Sequence, residues 1–244
     1  MARSRGNKGA FGTPGYQPRW THAGKEGIGT AYSTGSRVWR FSFTKEIIAK
    51  PTRPCVLPHT QLEGNETFLN TLKTYLLCAP HLEVGGEGNS AFVVEVSGRE
   101  LLVADKENRW LALGASSQFS RLPCGYVGHG DGYTDVLKNH EMTFEFDEAK
   151  SGNVALTGEL ELSKTREFTI GVAFAETLPS AVSCLFQSLG FTYKEQRKIF
   201  IRPTGIGGEY FDLAPTGFHS QVDFTFFWTN RVQWEGQNHR VQTH

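Results

Sequence analysis

The chain has 244 residues, enough to bury the core of one large domain, and its 25 Lys and Arg balance its 25 Asp and Glu. A formal charge of zero gives no pull toward a polyanion, which excludes a nucleic-acid-binding reading. No stretch reaches the roughly 18 apolar residues of a membrane-spanning helix, and the start MARSRGNKGAFGTPG lacks the apolar run of a signal peptide, so the expectation is a soluble, cytoplasmic chain with no membrane partner.

In chain order, GKEGIGTA (24–31) superficially looks like a nucleotide loop, but its lysine precedes the last glycines, so no Walker pattern forms. Cys55, Cys78, Cys124 and Cys184 are far apart, with no C-x-x-C, and read as reduced, packed thiols. Apolar runs joined by short turns then follow one another: 91–96, 100–104, 109–113, 141–147, 153–162 and 167–175 read as strands, with a hairpin at Gly98. Within NVALTGELEL, Val154, Leu156, Leu160 and Leu162 share one parity and Thr157, Glu159 and Glu161 the other, which predicts a strand with a single buried face. Gly158 interrupts the apolar parity and marks a bulge or a close approach. LPSAVSCLFQSLG predicts a helix from Pro179 and Ser180 to Gly190, with Val182, Leu185, Phe186 and Leu189 on one stripe. A second helical turn, YKEQRKIF, stops before Pro203. The fold class is all-β: an antiparallel sandwich over 1–178, a helical linker over 179–202, and an unassigned, poorly ordered tail over 203–244.

The densest cluster of polar and special residues is CGYVGHGDGYTDV, Cys124 to Val136. As a calcium loop starting at Asp131 it fails, because its twelfth position is Met142. As a dinucleotide loop it lacks the following helix of a G-x-G-x-x-G unit. The reading is a structural turn in which Gly128, Gly130 and Gly132 supply unusual φ, and Asp131 and Asp135 bind nearby amides. Glu159 and Glu161 stand about 6.5–7 Å apart by strand rise, but an E-x-E on one strand places both on one side, so they read as solvent-facing. The histidines show no metal-ligand spacing, no G-x-S-x-G elbow is present, and no metal or cofactor is expected. Trp20, Trp39, Trp110, Tyr126 and Tyr133 have the chemistry to stack on sugar rings, with Trp110 expected in the sandwich core.

Four blocks carry a resemblance: LLCAPHLEVGGEGNSAFVVEV, RWLALGASSQFSRLPCGYVGHGDGYTDV, MTFEFDEAKSGNVALTGELEL and EFTIGVAFAETLPSAVSCLFQSLGFTYKEQRK. With the earlier KEGIGTAYSTGSRVW they are similar to the bacterial and archaeal glucoamylase and glucodextranase group, glycoside hydrolase family fifteen. The resemblance implies that family's N-terminal β-supersandwich, of galactose-mutarotase-like fold, followed by a helical linker. It also implies a partner (α/α)6 barrel that carries the catalytic glutamates and hydrolyses α-glucan with inversion. None of the barrel's residues falls in this chain, so no catalytic residue is assigned here. The stretch between Phe41 and Thr67 and the residues after Pro203 depart from the group, as a deletion or frame disturbance in the coding sequence would produce. His129, Tyr133 and Glu87 also differ from the group's usual residues.

Three readings follow. The first is the N-terminal sandwich, or a truncated form, of a glucoamylase-like α-glucan hydrolase. The second is a carbohydrate-binding module with Tyr126, Asp131, Tyr133 and Asp135 as sugar contacts. The third is an enzyme whose catalysis lies within the sandwich, through His129 or His140 with a carboxylate.

Overall fold

The computed structural model describes residues 19–23, 31–38, 41–49, 53–83, 85–162, 166–201, 221–230 and 241–242. Two antiparallel sheets make up the body. The larger takes the order β1 (Arg19–Ala23), β2 (Ala31–Val38), β3 (Phe41–Ala49), β4 (Cys55–Gly64), β13 (Glu167–Ala175), β8 (Arg109–Ala115), β7 (Arg99–Lys106), β6 (Asn89–Val96), β11 (Glu148–Gly152). In the smaller the order is β10 (Cys124–Tyr126), β12 (Val154–Leu160), β5 (Leu72–His81), β14 (Gln221–Asn230), β15 (Val241–Gln242), with β9 (Phe119–Arg121) also paired to β12. Helices α1 (Glu66–Leu69), α2 (Gly132–Asn139), α3 (Leu178–Leu189) and α4 (Tyr193–Ile201) complete the described elements.

The β6–β7–β8 meander follows from its turns. Ser97 and Gly98 (φ 55° and 73°), and Glu107 and Asn108 (φ 47° and 63°), are two-residue loops in the left-handed region, whose twist suits tight hairpins. Their closing pairs are Val96 with Arg99 and Lys106 with Arg109. β7 is buried on both faces. Leu102 and Ala104 enter the inter-sheet core with Leu76, Cys78 and Leu156, whereas Leu101 and Val103 face outward into a second cluster with Val182 and Leu185 of α3.

α3 starts at Thr177, whose hydroxyl accepts from Ser180 N–H, and ends at Gly190, close to the predicted bounds. It lies against the larger sheet because Gly114 and Gly171 leave room for Leu185 and Leu189; a Cβ on Gly171 would stand 2.5 Å from Leu185 Cδ1. α4 docks beside it through polar groups. The Tyr193 ring stacks on His59 with centroids 3.9 Å apart, Arg197 Nε meets Glu46 at 2.9 Å, and Gln196 donates to the Ser188 carbonyl at 2.8 Å. His59 also bonds Thr169 at 3.0 Å and Glu167 at 3.3 Å; burial holds its pKa down against the opposing pull of Glu167 and Glu46. On the parity of Phe41, which enters the inter-sheet core, Lys45 is 2% exposed, and burial brings its ammonium down to about 8.

Several sequence expectations change. Residues 141–147 form no strand; the Thr143 amide binds the Asp135 carboxylate in place of a ladder partner. β12 is buried on both faces, since α2 covers the side that carries Ala155 and Thr157. Glu159 is accordingly not solvent-facing: its side chain is 13% exposed and pairs with Lys73 at 3.4 Å, while Glu161 is exposed. Gly158 does mark a close approach, that of the Phe119 ring. Trp110 is half-buried against the sheet–helix cluster, outside the inter-sheet core. β3, β4 and β5 were not anticipated as strands, and β14, within the tail left unassigned, pairs with β5 from Gln221–His81 to Asn230–Leu72. Trp39, residues 24–30 and residues 203–220 lie outside the described residues.

Candidate functional site

The Cys124–Val136 segment runs as a short strand, a turn and the first turns of a helix, so the expected absence of a following helix does not hold: α2 begins at Gly132, capped by Asp131, although β10 before it pairs antiparallel with β12. β10 pairs with β12 through Cys124–Leu156 and Tyr126–Val154. At Gly125 only hydrogen fits: a Cβ would stand 2.2 Å from the Gly130 carbonyl oxygen, so the turn folds back directly onto its own strand. Gly128 and Gly130 take φ of 74° and 83°, and His129 N–H donates to the Tyr126 carbonyl at 2.9 Å. Gly132 does not share the positive φ expected of it; it begins α2, and its missing side chain leaves space for Thr157.

Asp131 caps α2. Its Oδ1 accepts from Thr134 N–H at 2.6 Å and its Oδ2 from Gly128 N–H at 2.5 Å, so one carboxylate ties the turn to the helix N-terminus, where negative charge is favoured. Asp135, one turn on, accepts from Thr143 N–H at 2.5 Å, Thr143 Oγ1 at 2.7 Å, Asn139 Nδ2 at 2.6 Å and Phe144 N–H at 3.4 Å. Burial pushes its pKa up, and the bonds from Thr143, Asn139 and Phe144 outweigh this and hold it below the usual carboxylate range. The two carboxylates are only 3% and 4% exposed, and their bonds point inward to the loop.

Tyr126 is 39% exposed, but its hydroxyl is held by Lys150, accepting from the backbone N–H and donating to the carbonyl at 3.1 Å each. Its ring lies over Gly152. Tyr133 packs on the cluster of Tyr75, Val136 and Met142 beneath α2. Val127 and Phe146 are exposed nearby in sequence or by backbone contact, Phe146 offering its carbonyl to Cys124 N–H at 2.7 Å and its ring to Phe144 at 5.1 Å. Of the four predicted sugar contacts, Tyr126 alone keeps substantial exposed area. His129 is exposed on the turn beside an Asp131 already bonded to two amides, and the His140 backbone forms the left-handed C-cap of α2. Among the described residues no group of three or more His, Cys, Asp or Glu is arranged to hold a metal ion. Buried Cys124 has its thiol pushed up to about 12 by desolvation, with Asp147 adding to it, so it is a packing group at neutral pH.

Two antiparallel sheets, with α3 and α4 against the larger one and a loop whose acids are tied largely to backbone amides, define a β-sandwich module. Residues 10–39 and 40–205 match the family described as Glucodextranase, domain N, and the chain belongs to that family. A glucoamylase from Clostridium sp. (strain G0005) is 28% identical over 162 residues, covering 66% of this chain and 23% of the relative. A crystal structure of a bacterial glucoamylase complexed with acarbose superposes with a TM-score of 0.70 at 24% identity, covering 77% of this chain and 28% of that one. The chain thus spans about a quarter of the length of these relatives, and it corresponds to the N-terminal domain of a glucoamylase-like enzyme, with the catalytic domain outside its span. The family resemblance carried by the sequence blocks and the all-β sandwich both stand.

Proposed function

We propose that this chain is the sandwich module of an enzyme that hydrolyses α-glucosidic bonds, and that its work is to cover and position a catalytic (α/α)6 barrel whose carboxyl pair carries out the chemistry. The family match over 10–39 and 40–205 carries this reading. The inward-turned Asp131 and Asp135 support it, because a general acid or base must reach a substrate and these oxygens are occupied by amides. The loop's role is then to hold one end of the sandwich rigid, with Tyr126 as its candidate contact to a glucan or to the barrel.

The test is a chimera in which this chain replaces the corresponding segment of the Clostridium glucoamylase. A soluble chimera that releases glucose from maltodextrin is the expected result. Refutation takes either of two forms: an insoluble or inactive chimera alongside an active parent, or glucose release by this chain alone.

A further inference from the structure

A cavity of about 280 Å³ is lined, among others, by Arg99, Glu100, Ser117, Gln118, Phe119 and Phe186. Its walls are fixed by the fold. The Ser97–Gly98 loop, left-handed at both positions, sets Arg99 and Glu100 at the start of β7. The 116–118 backbone is pinned on two sides: Ser116 N–H donates to the Thr169 carbonyl at 2.8 Å, Thr169 N–H to Ser116 Oγ at 2.9 Å, and Glu161 N–H to the Gln118 carbonyl at 2.9 Å. Phe119 is seated against Gly158, where a Cβ would stand 2.6 Å from its ring, and Phe186 is carried by α3, itself held close to the sheet at Gly114 and Gly171.

Both oxygens of Asp131 and of Asp135 already accept hydrogen bonds from the protein. The side chains of Arg99, Glu100, Ser117 and Gln118 differ: among the described residues no hydrogen bond or ion pair engages them. Guanidinium, carboxylate and carboxamide are planar groups that engage two neighbouring polar atoms at once, as adjacent ring hydroxyls present them. The two phenyl rings offer the apolar surface that a pyranose C–H face covers. One cation beside one anion gives no net preference for a charged ligand. The volume lies just below the usual range of small-molecule sites, roughly 300–1,000 Å³, which admits one sugar ring and not a buried oligosaccharide.

We propose that this cavity is a binding site for a single neutral hexopyranose unit, distinct from the Cys124–Val136 loop. The choice of a glucose-type ring as the first probe rests on the glucan reading above; the pocket chemistry does not. Calorimetric titration of the whole chain with maltose and with methyl α-glucopyranoside should give saturable binding with Kd on the order of 1–10 mM, as exposed hydrogen bonds that compete with water allow. Arg99→Ala and Gln118→Ala, at exposed positions, should each weaken it about fivefold or more with unchanged melting temperature, and Ser117→Trp should abolish it by filling the space. Maltose should shift the backbone amide resonances of Gly98, Ser117 and Gln118.

No saturable heat up to about 50 mM sugar overturns the proposal, given the affinity expected of so small a contact. Binding of inorganic phosphate without sugar overturns it also, as does sugar binding lost in Tyr126→Ala but kept in Arg99→Ala. A working glucoamylase chimera with no sugar binding refutes the pocket alone. Binding with a failed chimera refutes the module reading and leaves the pocket.

Discussion

Asp135→Ala tests whether the loop is held by its buried carboxylate. The substitution removes an acceptor for three close donors, Thr143 N–H, Thr143 Oγ1 and Asn139 Nδ2, at 2.5, 2.7 and 2.6 Å; the 3.4 Å contact to Phe144 N–H is long enough to be left out of the reckoning. Bonds to a charged acceptor contribute about 1.5–3 kcal/mol each when buried, but Thr143 and Asn139 are exposed residues whose freed donors rehydrate, so about 1 kcal/mol apiece is the better measure. The expected loss is about 2–4 kcal/mol, a large part of the 5–15 kcal/mol that typically holds a domain together. For a chain of this size that lowers Tm by about 5–15 °C. Differential scanning calorimetry at pH 7 reads it directly, and faster hydrogen exchange at the Thr143 amide locates it. Asp135→Asn, which retains one acceptor, should fall between. The folded pKa of Asp135 lies below its unfolded value of about 3.9, so its contribution is complete above that pH and disappears as pH falls through the lower, folded value. The gap between parent and Asp135→Ala should therefore narrow below about pH 4. A variant that melts within about 2 °C of the parent at pH 7 would show that the loop does not depend on this carboxylate.

Three further predictions concern the larger sheet. His59 has a depressed pKa in the fold, so its contribution is present above its unfolded value of about 6.5 and declines as pH falls below it; thermal melts at pH 7 and pH 5 should show a decrease that His59→Phe, which keeps a ring against Tyr193, reduces. Lys45, brought down to about 8 by burial, binds its proton less readily folded than unfolded, so stability should rise between about pH 8 and 10. Lys45→Met should remove that rise, as urea titrations at about pH 8 and pH 10 will read. Gly171→Val forces branched carbon into Leu185 and should lower stability by about 1–3 kcal/mol, with loss of protease resistance beginning in α3 and α4.

How much was legible in the sequence varied with how local the cause is. The β6, β7, β8 and β13 strands and the α3 helix were readable because their apolar periodicity, turns and caps lie within a few residues of one another. β4 was hidden by Pro58, which breaks a strand pattern; in the fold its pairing with β13 runs through His59–Thr169 and Val56–Val172 and skips the proline, which has no N–H to offer. β5, LKTYLLCAPH, shows little alternation because both of its faces are covered, Leu76 and Cys78 by the inter-sheet core and Tyr75 by the cluster beneath α2. Residues 141–147 alternate as a strand does, yet the Thr143 amide answers to an aspartate eight positions upstream, which no periodicity reports.

Composition and the strand-and-turn pattern were enough to establish an antiparallel sandwich and to locate the glycine-rich turn at Gly128 and Gly130, while the glucoamylase N-terminal type came from the resemblance of the sequence blocks to that family. Only the tertiary structure decided what the polar residues are for. Asp131 and Asp135 look alike to Arg99, Glu100 and Gln118 in a list of polar side chains, but packing seals the first pair against backbone amides and leaves the second group facing a cavity. Burial and the direction of a side chain are set by contacts between strands far apart along the chain, and it is these that separate a residue that holds the fold from one left free to meet a ligand.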